Sequence, residues 1–107
     1  MTLAVLWLAG AERDLVEIAD YIAEHDSPAK AAHVVKKILA AATSLSRFPE
    51  AETWLHELAG MGNREFRQVF FKPYRLVYRI KGKKVYVYLV ADGRRDMQSQ
   101  LARRLLR

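Results

Sequence analysis

The chain has 107 residues, of which 51% are hydrophobic and 28% charged, and this balance predicts one globular domain with a substantial core. The absence of cysteine excludes disulfides, thiolate metal ligands and cysteine nucleophiles. The net charge of +6 is uneven, because residues 1–62 carry five basic and nine acidic side chains whereas residues 63–107 carry thirteen and three. The second part therefore predicts an acidic partner, either nucleic acid or an acidic protein surface, unless it is simply a solvated face.

The sequence shows neither a signal peptide nor a membrane segment. Residues 1–10 are apolar but have no basic start, and Glu12, Arg13 and Asp14 follow at once. No apolar run approaches the roughly 18 residues that a membrane span needs. We therefore expect a soluble, cytoplasmic protein with no membrane partner.

The first 49 residues predict a strand and two helices. Residues 2–8 form a short apolar run that we interpret as a buried strand. Ser27 and Pro28 are typical of a helix start, and Phe48–Pro49 is typical of a helix end. The apolar stripes recur at helical spacing, with Glu12 and Asp14 in the first turn of the first helix: Ala11, Leu15, Ile18, Ala19 and Ile22, then Ala31, Val35, Ile38, Leu39, Ala42 and Leu45. Two such helices with a tight break predict an antiparallel hairpin.

The remaining residues predict a meander of strands after a loop at 50–63. We expect strands over residues 65–71, 74–80 and 84–91, with turns at Lys72–Pro73 and Lys81–Gly82–Lys83. The last of these strands is apolar at both alternating sets of positions, which suits a central strand covered on both faces. Residues 96–107 are expected to form a short helix, which either completes the core or leaves an apolar groove for a partner segment.

The predicted order β-α-α-β-β-β-α indicates an α+β fold in a single domain over residues 1–107. The helix hairpin must pack on one face of a small, mostly antiparallel sheet, because its apolar stripe needs a partner. The first strand is followed by a long helical connection and is expected to lie parallel to one of the others.

Arginines that interrupt the apolar strands are candidates for a binding surface. If Arg75 and Arg79 face away from the helices, they line the open face of the sheet, where guanidinium groups bind carboxylates or phosphates. The alternative is an ordinary solvated face. Tyr74, Tyr78, Tyr86 and Tyr88 alternate with these arginines, and we interpret them as strand residues rather than as platforms for base stacking.

Four segments in order are similar to a known family. They are "WLAGAERDLVEIADY" from Trp7, "EHDSPAKAA" from Glu24, "LSRFPEA" from Leu45 and "REFRQVFFKPYRLVYRIKGKKVYVYLVADGRRD" from Arg64. Together they resemble the ParE/RelE superfamily of type II toxin–antitoxin systems over nearly the whole chain. The resemblance implies a toxin neutralised by a cognate antitoxin. It also implies one of two activities, because RelE-like members are ribosome-dependent messenger RNA endoribonucleases and ParE-like members poison DNA gyrase.

The residues after the last strand favour the ParE branch. Many members of the superfamily have His-Gly-x-Arg-Asp there, whereas this chain has Asp92–Gly93–Arg94–Arg95–Asp96. RNA cleavage needs a general base, a general acid and cations around the phosphate. No histidine or tyrosine follows Asp92, and a carboxylate beside several arginines is a weak base near neutrality. We therefore interpret Asp92 as closing a turn and pairing with an arginine.

The histidines are weak candidates for the catalytic groups of a ribonuclease. His25 at the end of the first helix and His33 off the apolar stripe of the second are interpreted as surface residues. His56, in the predicted loop, is the histidine with a route to the sheet.

The expected sites follow from these interpretations, and no metal or cofactor is expected. No catalytic residue is expected in a ParE-like toxin; in a ribonuclease the candidates, besides His56, are Glu65, Arg67, Arg75, Asp92 and Arg94. The predicted target-binding residues are Arg67, Arg75, Arg79, Arg94 and Arg95. The predicted antitoxin-binding residues are Leu101, Leu105, Arg103, Arg104 and Tyr78.

The expected partners are the cognate antitoxin and DNA gyrase, in the setting of plasmid stabilisation. Operator DNA is expected to be bound through the antitoxin rather than by the toxin. A further hypothesis, motivated by Asp92 in place of the usual histidine, is a non-toxic member that serves only as a binding module.

Overall fold

The computed structural model describes residues 2–49, 65–94 and 97–105. Its elements are β1 (Ala4–Trp7), α1 (Ala9–His25), α2 (Pro28–Ser44), β2 (Phe66–Phe71), β3 (Tyr74–Lys81), β4 (Lys84–Asp92) and α3 (Met97–Leu105). The predicted order of elements is confirmed. The loop predicted at residues 50–63 lies outside the described residues.

The sheet has four strands in the order β1-β4-β3-β2. β1 pairs in parallel with β4, and the two remaining pairs are antiparallel. The expectation of a mixed sheet with a parallel N-terminal strand is therefore confirmed, and β4 is the central strand that its apolar sequence predicted.

β1 lies at an edge of the sheet, and the expectation that it is buried is wrong. Its residues are alternately exposed and half-buried, and 40% of Leu6 is accessible to solvent. The reason is its position, because one edge of β1 is bonded to β4 and the other has no partner strand within the four-stranded sheet. Only one face of β1 packs against the apolar core between the helix hairpin and the sheet, which we call the helix-side core.

α1 and α2 form the predicted hairpin on one face of the sheet. The Ser27 hydroxyl accepts a hydrogen bond from the backbone N–H of Lys30 at 3.0 Å, and Pro28 is the first helical residue, as predicted. The predicted stripe of α2 is wrong at two positions, since Val34 is buried in place of Val35 and Leu39 is 41% exposed. The inward face of α2 follows the spacing 31, 34, 38, 42, which combines steps of three and four residues.

α3 covers part of the opposite face of the sheet. Met97 and Leu101 are buried there in a second apolar cluster with Phe66, Val77 and Leu89. Of the two expectations for the terminal helix, the structure therefore shows the one in which it completes the core.

A bulge in β4 allows the strand to contribute buried side chains to both apolar cores. Val77 pairs with Leu89 but the next residue, Tyr78, pairs with Val87, which leaves Tyr88 as the extra residue. Val87 packs on the helix side, whereas Leu89 packs on the side of α3. Without the extra residue the two side chains would share a face.

Asp14 joins three elements. Its Oδ2 accepts a hydrogen bond from the backbone N–H of Val90 at 3.0 Å, and its two carboxylate oxygens accept from the two terminal nitrogens of Arg104, each at 3.0 Å. Arg104 also donates to the carbonyl oxygen of Tyr88 at 3.2 Å. Asp14 was expected in the first turn of its helix, but α1 starts two residues earlier than expected, at Ala9, so only Glu12 lies in that turn.

We expect Asp14→Ala to destabilise the protein more than Arg104→Ala does. Removing the carboxylate leaves the Val90 N–H without an acceptor and leaves the guanidinium of Arg104 with only the carbonyl oxygen of Tyr88. This should lower the free energy of unfolding by about 2–3 kcal/mol. Removing Arg104 leaves the bond to Val90 in place and should cost about 1 kcal/mol. Urea denaturation of the purified variants measures both values.

Glu12→Ala is the matched control for that comparison. Glu12 is an exposed carboxylate on the same helix, two residues before Asp14. An equal or larger loss in Arg104→Ala than in Asp14→Ala would contradict the role given to the Val90 bond.

Candidate functional site

The arginines of the sheet lie on two different faces. Arg75 and Arg79 alternate with residues of the helix-side core in β3 and so face away from the hairpin, which is the condition that the hypothesis of a binding surface required. Arg67 is the cross-strand partner of Tyr78, a residue of the helix-side core. Because cross-strand partners share a face, Arg67 lies on the face that the helix hairpin covers, opposite to Arg75 and Arg79. The structure therefore does not bring the three arginines together.

Arg75 is a buried side chain held by its neighbours rather than an exposed binding group. It is 8% exposed, and its Nε donates to Oε1 of Gln68 at 2.9 Å while a terminal nitrogen donates to the same oxygen. Its guanidinium lies 5.7 Å from the centre of the Phe70 ring. Its role in target binding stays a prediction. Arg79, on the same face, is half-exposed, and its guanidinium lies 3.5 Å from a carboxylate oxygen of Glu65.

The turn after β4 is organised by Asp92. Its Oδ1 accepts hydrogen bonds from the backbone N–H and Nε of Arg94, each at 2.9 Å, and its Oδ2 accepts from a terminal nitrogen at 2.6 Å. This hydrogen bonding and the charge of Asp92 raise the pKa of Arg94. The interpretation that Asp92 closes a turn and pairs with an arginine is confirmed; Arg95 lies outside the described residues.

Gly93 packs directly against Arg75. A methyl group at Gly93 would lie 2.8 Å from Cδ of Arg75 and 3.2 Å from the carbonyl oxygen of Pro73. The backbone N–H of Gly93 donates to the same carbonyl oxygen at 2.7 Å. The buried arginine therefore requires a glycine above it, and the two residues fix the start of the turn.

A pocket of about 400 Å³ lies between α1, the C-terminal end of β4 and α3. Its lining includes Glu17, Tyr21, Tyr74, Asp92 and Arg94. Burial, and then the charge of Asp92, raise the pKa of Tyr74, so its phenol stays protonated near neutrality.

The charges of this pocket do not suit a phosphate. Among the described residues of its lining, Asp14, Glu17 and Asp92 are acidic and Arg94 is basic. This described part of the lining carries more carboxylates than cations, which disfavours a phosphodiester.

The predicted antitoxin-binding residues differ in accessibility. Tyr78 and Leu101 are buried, and the Tyr78 hydroxyl donates to the carbonyl oxygen of Pro49 at 2.6 Å. Leu105 is half-buried against the second core, whereas Arg103 is exposed. Arg104 is also exposed, but its guanidinium is held by Asp14.

The described histidines are surface residues, as predicted. His25 makes a hydrogen bond through Nδ1 with the carbonyl oxygen of Tyr21 at 3.0 Å, and its ring stacks on that tyrosine with the centroids 4.2 Å apart. His33 is exposed on α2. His56 lies outside the described residues.

Two important residues were not predicted from the sequence. Gln68 is an uncharged polar residue within the otherwise largely apolar strand Phe66–Phe71, and it is buried. A polar residue in such a strand was a usable signal for a buried hydrogen-bond partner. Asp14 gave no comparable signal, because an acidic residue near a helix start is common and its partners lie 76 and 90 residues away.

Neither a metal site nor a membrane span is found in the described parts. No group of three potential metal ligands lies together within residues 2–49, 65–94 and 97–105. None of the described helices is long and apolar enough to cross a membrane.

The comparison with protein families is decisive. The model of the ParE toxin of the type II toxin–antitoxin system parDE matches residues 5–97. The chain belongs to this family. Among curated proteins, none matches this ParE-family chain by sequence.

Solved structures share the ParE/RelE-like fold. One is the chromosomal ParDE toxin–antitoxin system from P. aeruginosa, with a TM-score of 0.71 and 19% identity over 85% of this chain and 96% of that one. Another is the RelBE2 toxin–antitoxin complex from Mycobacterium tuberculosis, with a TM-score of 0.63 and 22% identity over 86% of this chain and 92% of that one. Since the fold is shared by ParE and RelE proteins, it does not distinguish their activities.

We expect Gly93→Ala to destabilise this ParE-family protein by about 1–3 kcal/mol, because the new methyl group overlaps the stem of Arg75. The same substitution should cost about 1 kcal/mol less in an Arg75→Ala background, where the overlapping atoms are absent. A double-mutant cycle in urea denaturation measures this coupling.

Gly82→Ala serves as a control for that cycle, because a methyl group there meets no atom within 4 Å and the residue lies in another turn. It should be destabilising through its positive φ of 63° but additive with Arg75→Ala. Equal costs of Gly93→Ala in both backgrounds would contradict the packing described.

Proposed function

We propose that this ParE-family toxin acts on DNA gyrase and is held inactive in the cytoplasm by a cognate antitoxin. Membership of the ParE family supports the toxin role, and poisoning of gyrase is the activity that resemblance to the ParE branch implies. In this proposal the protein binds its target and is not a nuclease.

The hydrogen bonding of Asp92 is the observation that carries this proposal. Asp92 stands where many superfamily members have a histidine, and it accepts three hydrogen bonds from Arg94. A carboxylate held by a guanidinium on both oxygens is a poor acceptor for the proton of a ribose hydroxyl. The position therefore supports a structural turn rather than a catalytic base.

The rival function is a ribosome-dependent messenger RNA endoribonuclease, which the strongly basic second part of the chain favours. It would use Arg79 and Arg94 as cations near the phosphate, and it needs a base. Glu65 lies against Arg79, and Arg75 is buried beside Gln68. These contacts support the gyrase proposal over the nuclease.

The proposed antitoxin contact uses the outer side of α3. Arg103 is exposed there, and Arg104 is partly exposed with a side-chain accessibility of 32%. An acidic antitoxin segment would be attracted to these cations, which speeds association and sets specificity. Leu101 would then support this surface from the second core, whereas Tyr78 lies on the opposite face of the sheet, in the helix-side core. Specific operator recognition would belong to the antitoxin.

The test is a gyrase assay with the purified toxin, in which supercoiling and trapped cleaved DNA are measured with and without the antitoxin from the neighbouring gene. We expect loss of supercoiling and accumulation of cleaved DNA, both reversed by the antitoxin. No effect at toxin well above the gyrase concentration would overturn the proposal.

Three substitutions separate the gyrase proposal from the nuclease. We expect Glu65→Gln, Asp92→Asn and His56→Ala each to arrest growth as the unmodified toxin does, because none supplies a proton-transfer step in this proposal. Relief of growth arrest by any of them, in a protein whose circular dichroism is unchanged, would indicate catalysis instead. If the unmodified chain fails to arrest growth without its antitoxin, the hypothesis of a non-toxic binding module is supported.

A further inference from the structure

The turn between β3 and β4 lies at one end of the sheet, next to the end of α2. Lys81 pairs with Lys84 across a two-residue turn of Gly82 and Lys83. The carbonyl oxygen of Lys83 accepts from the N–H of Ala4, and the N–H of Leu3 donates to the carbonyl oxygen of Ser46 at 2.7 Å. These bonds place Ser46, the sequence neighbour of Arg47, at the same end of the sheet as the turn.

We call Arg47, Lys81, Lys83 and Lys84 the basic end. All four side chains are exposed, and none is in an ion pair within the described part of the chain. Lys81 and Lys84 are directly opposite one another, an arrangement of like charges that is itself destabilising. Unneutralised cations held close together in this way favour a ligand with several negative charges.

The kind of side chain favours nucleic acid over protein. Lysine is depleted in protein–protein interfaces, which are anchored by aromatic and other apolar residues, and no such residue stands among Lys81, Gly82, Lys83 and Lys84. Lysine is by contrast a common partner of backbone phosphates, which it contacts as a point charge.

The arrangement favours a duplex over a single strand. Single-strand sites stack successive bases on aromatic rings, and the turn offers none between its lysines. Its three lysines come from the ends of two adjacent strands about 5 Å apart and from the turn between them, so they form a compact, exposed cluster of positive charge. Such a cluster suits the dense phosphates along a duplex, which carries one charge per about 1.7 Å.

We propose that the basic end binds the phosphate backbone of duplex DNA without sequence preference. The binding itself stands on these charges, and only its use, contact with the DNA that gyrase holds, rests on the proposed function. Specific operator recognition is not part of this role.

The experiment measures fluorescence anisotropy of a labelled mixed-sequence DNA duplex titrated with the purified toxin between about 50 and 200 mM salt. The test variant is Lys81→Gln/Lys83→Gln/Lys84→Gln. We expect its affinity at the lowest salt to fall at least about tenfold. The slope of log affinity against log salt is negative, and its magnitude should decrease by about three, one for each phosphate that the variant no longer neutralises.

Lys30→Gln/Lys36→Gln/Lys37→Gln is the matched control. It removes the same charge from exposed lysines of α2, so a reduction of affinity under about threefold is expected from the weaker long-range field. Equal reductions in the two triple variants would overturn the proposal, because binding would then follow net charge alone. Failure of the turn variant to bind the antitoxin, with DNA binding intact, would also overturn it and assign the basic end to a protein partner.

Lys83→Gln keeps the test available if the triple variant does not fold, since this exposed turn residue can be changed alone. It should reduce the magnitude of the salt slope by about one.

The gyrase assay separates the two proposals. DNA binding that depends on the basic end without any effect on gyrase supports this inference and counts against the gyrase proposal. Inhibition of gyrase by a toxin that does not bind DNA does the reverse.

Discussion

The hydrogen bonds of Asp14 determine how the C-terminal part of the molecule is assembled. β1 ends at Trp7, so beyond that point the edge of β4 has no neighbouring strand on that side. Asp14 accepts the N–H of Val90 and Arg104 donates to the carbonyl oxygen of Tyr88, which satisfies this edge with side chains. The ion pair between Asp14 and Arg104 then holds α3 against the sheet. The second core and the pocket near Tyr74 both depend on that placement.

The basic residues of the sheet lie in different environments. Arg75 lies inside, fixed by Gln68 and covered at Gly93, and thus contributes to the structure of the turn. Arg79 and Arg94 reach solvent but each has a carboxylate partner. The unpaired positive charge of the described sheet is instead concentrated at the turn between β3 and β4. A surface of this kind is suited to binding a polyanion rather than to proton transfer.

Much of the fold could be predicted because it depends on local patterns. Ser27–Pro28, the apolar stripes and the turn at Gly82 are signals within a few residues, and the apolar character of β4 on both of its faces indicated burial on both sides. The bulge at Tyr88 could not be predicted, since the residues that need it pack on different faces only after α3 is in place. β1 was misjudged because an apolar run has the same appearance in an edge strand and in a central one.

The site could be predicted only where its contacts are close in sequence. The pairing of Asp92 with Arg94 spans two residues and was expected from the turn. The burial of Arg75 depends on Gly93 and on a cross-strand neighbour, so the sequence predicted its face but not its accessibility. The bond between Asp14 and Arg104 spans 90 residues and leaves no periodic pattern.

The parallel pairing of β1 with β4 also determines when the sheet can be completed during synthesis. β4 is made about 80 residues after its partner β1. Until then β1 has no neighbour, the β2–β3 hairpin lacks its central strand, and the helix hairpin has only part of the sheet to cover. The four-stranded sheet, and the second core that α3 completes on it, therefore form only after β4 has left the ribosome.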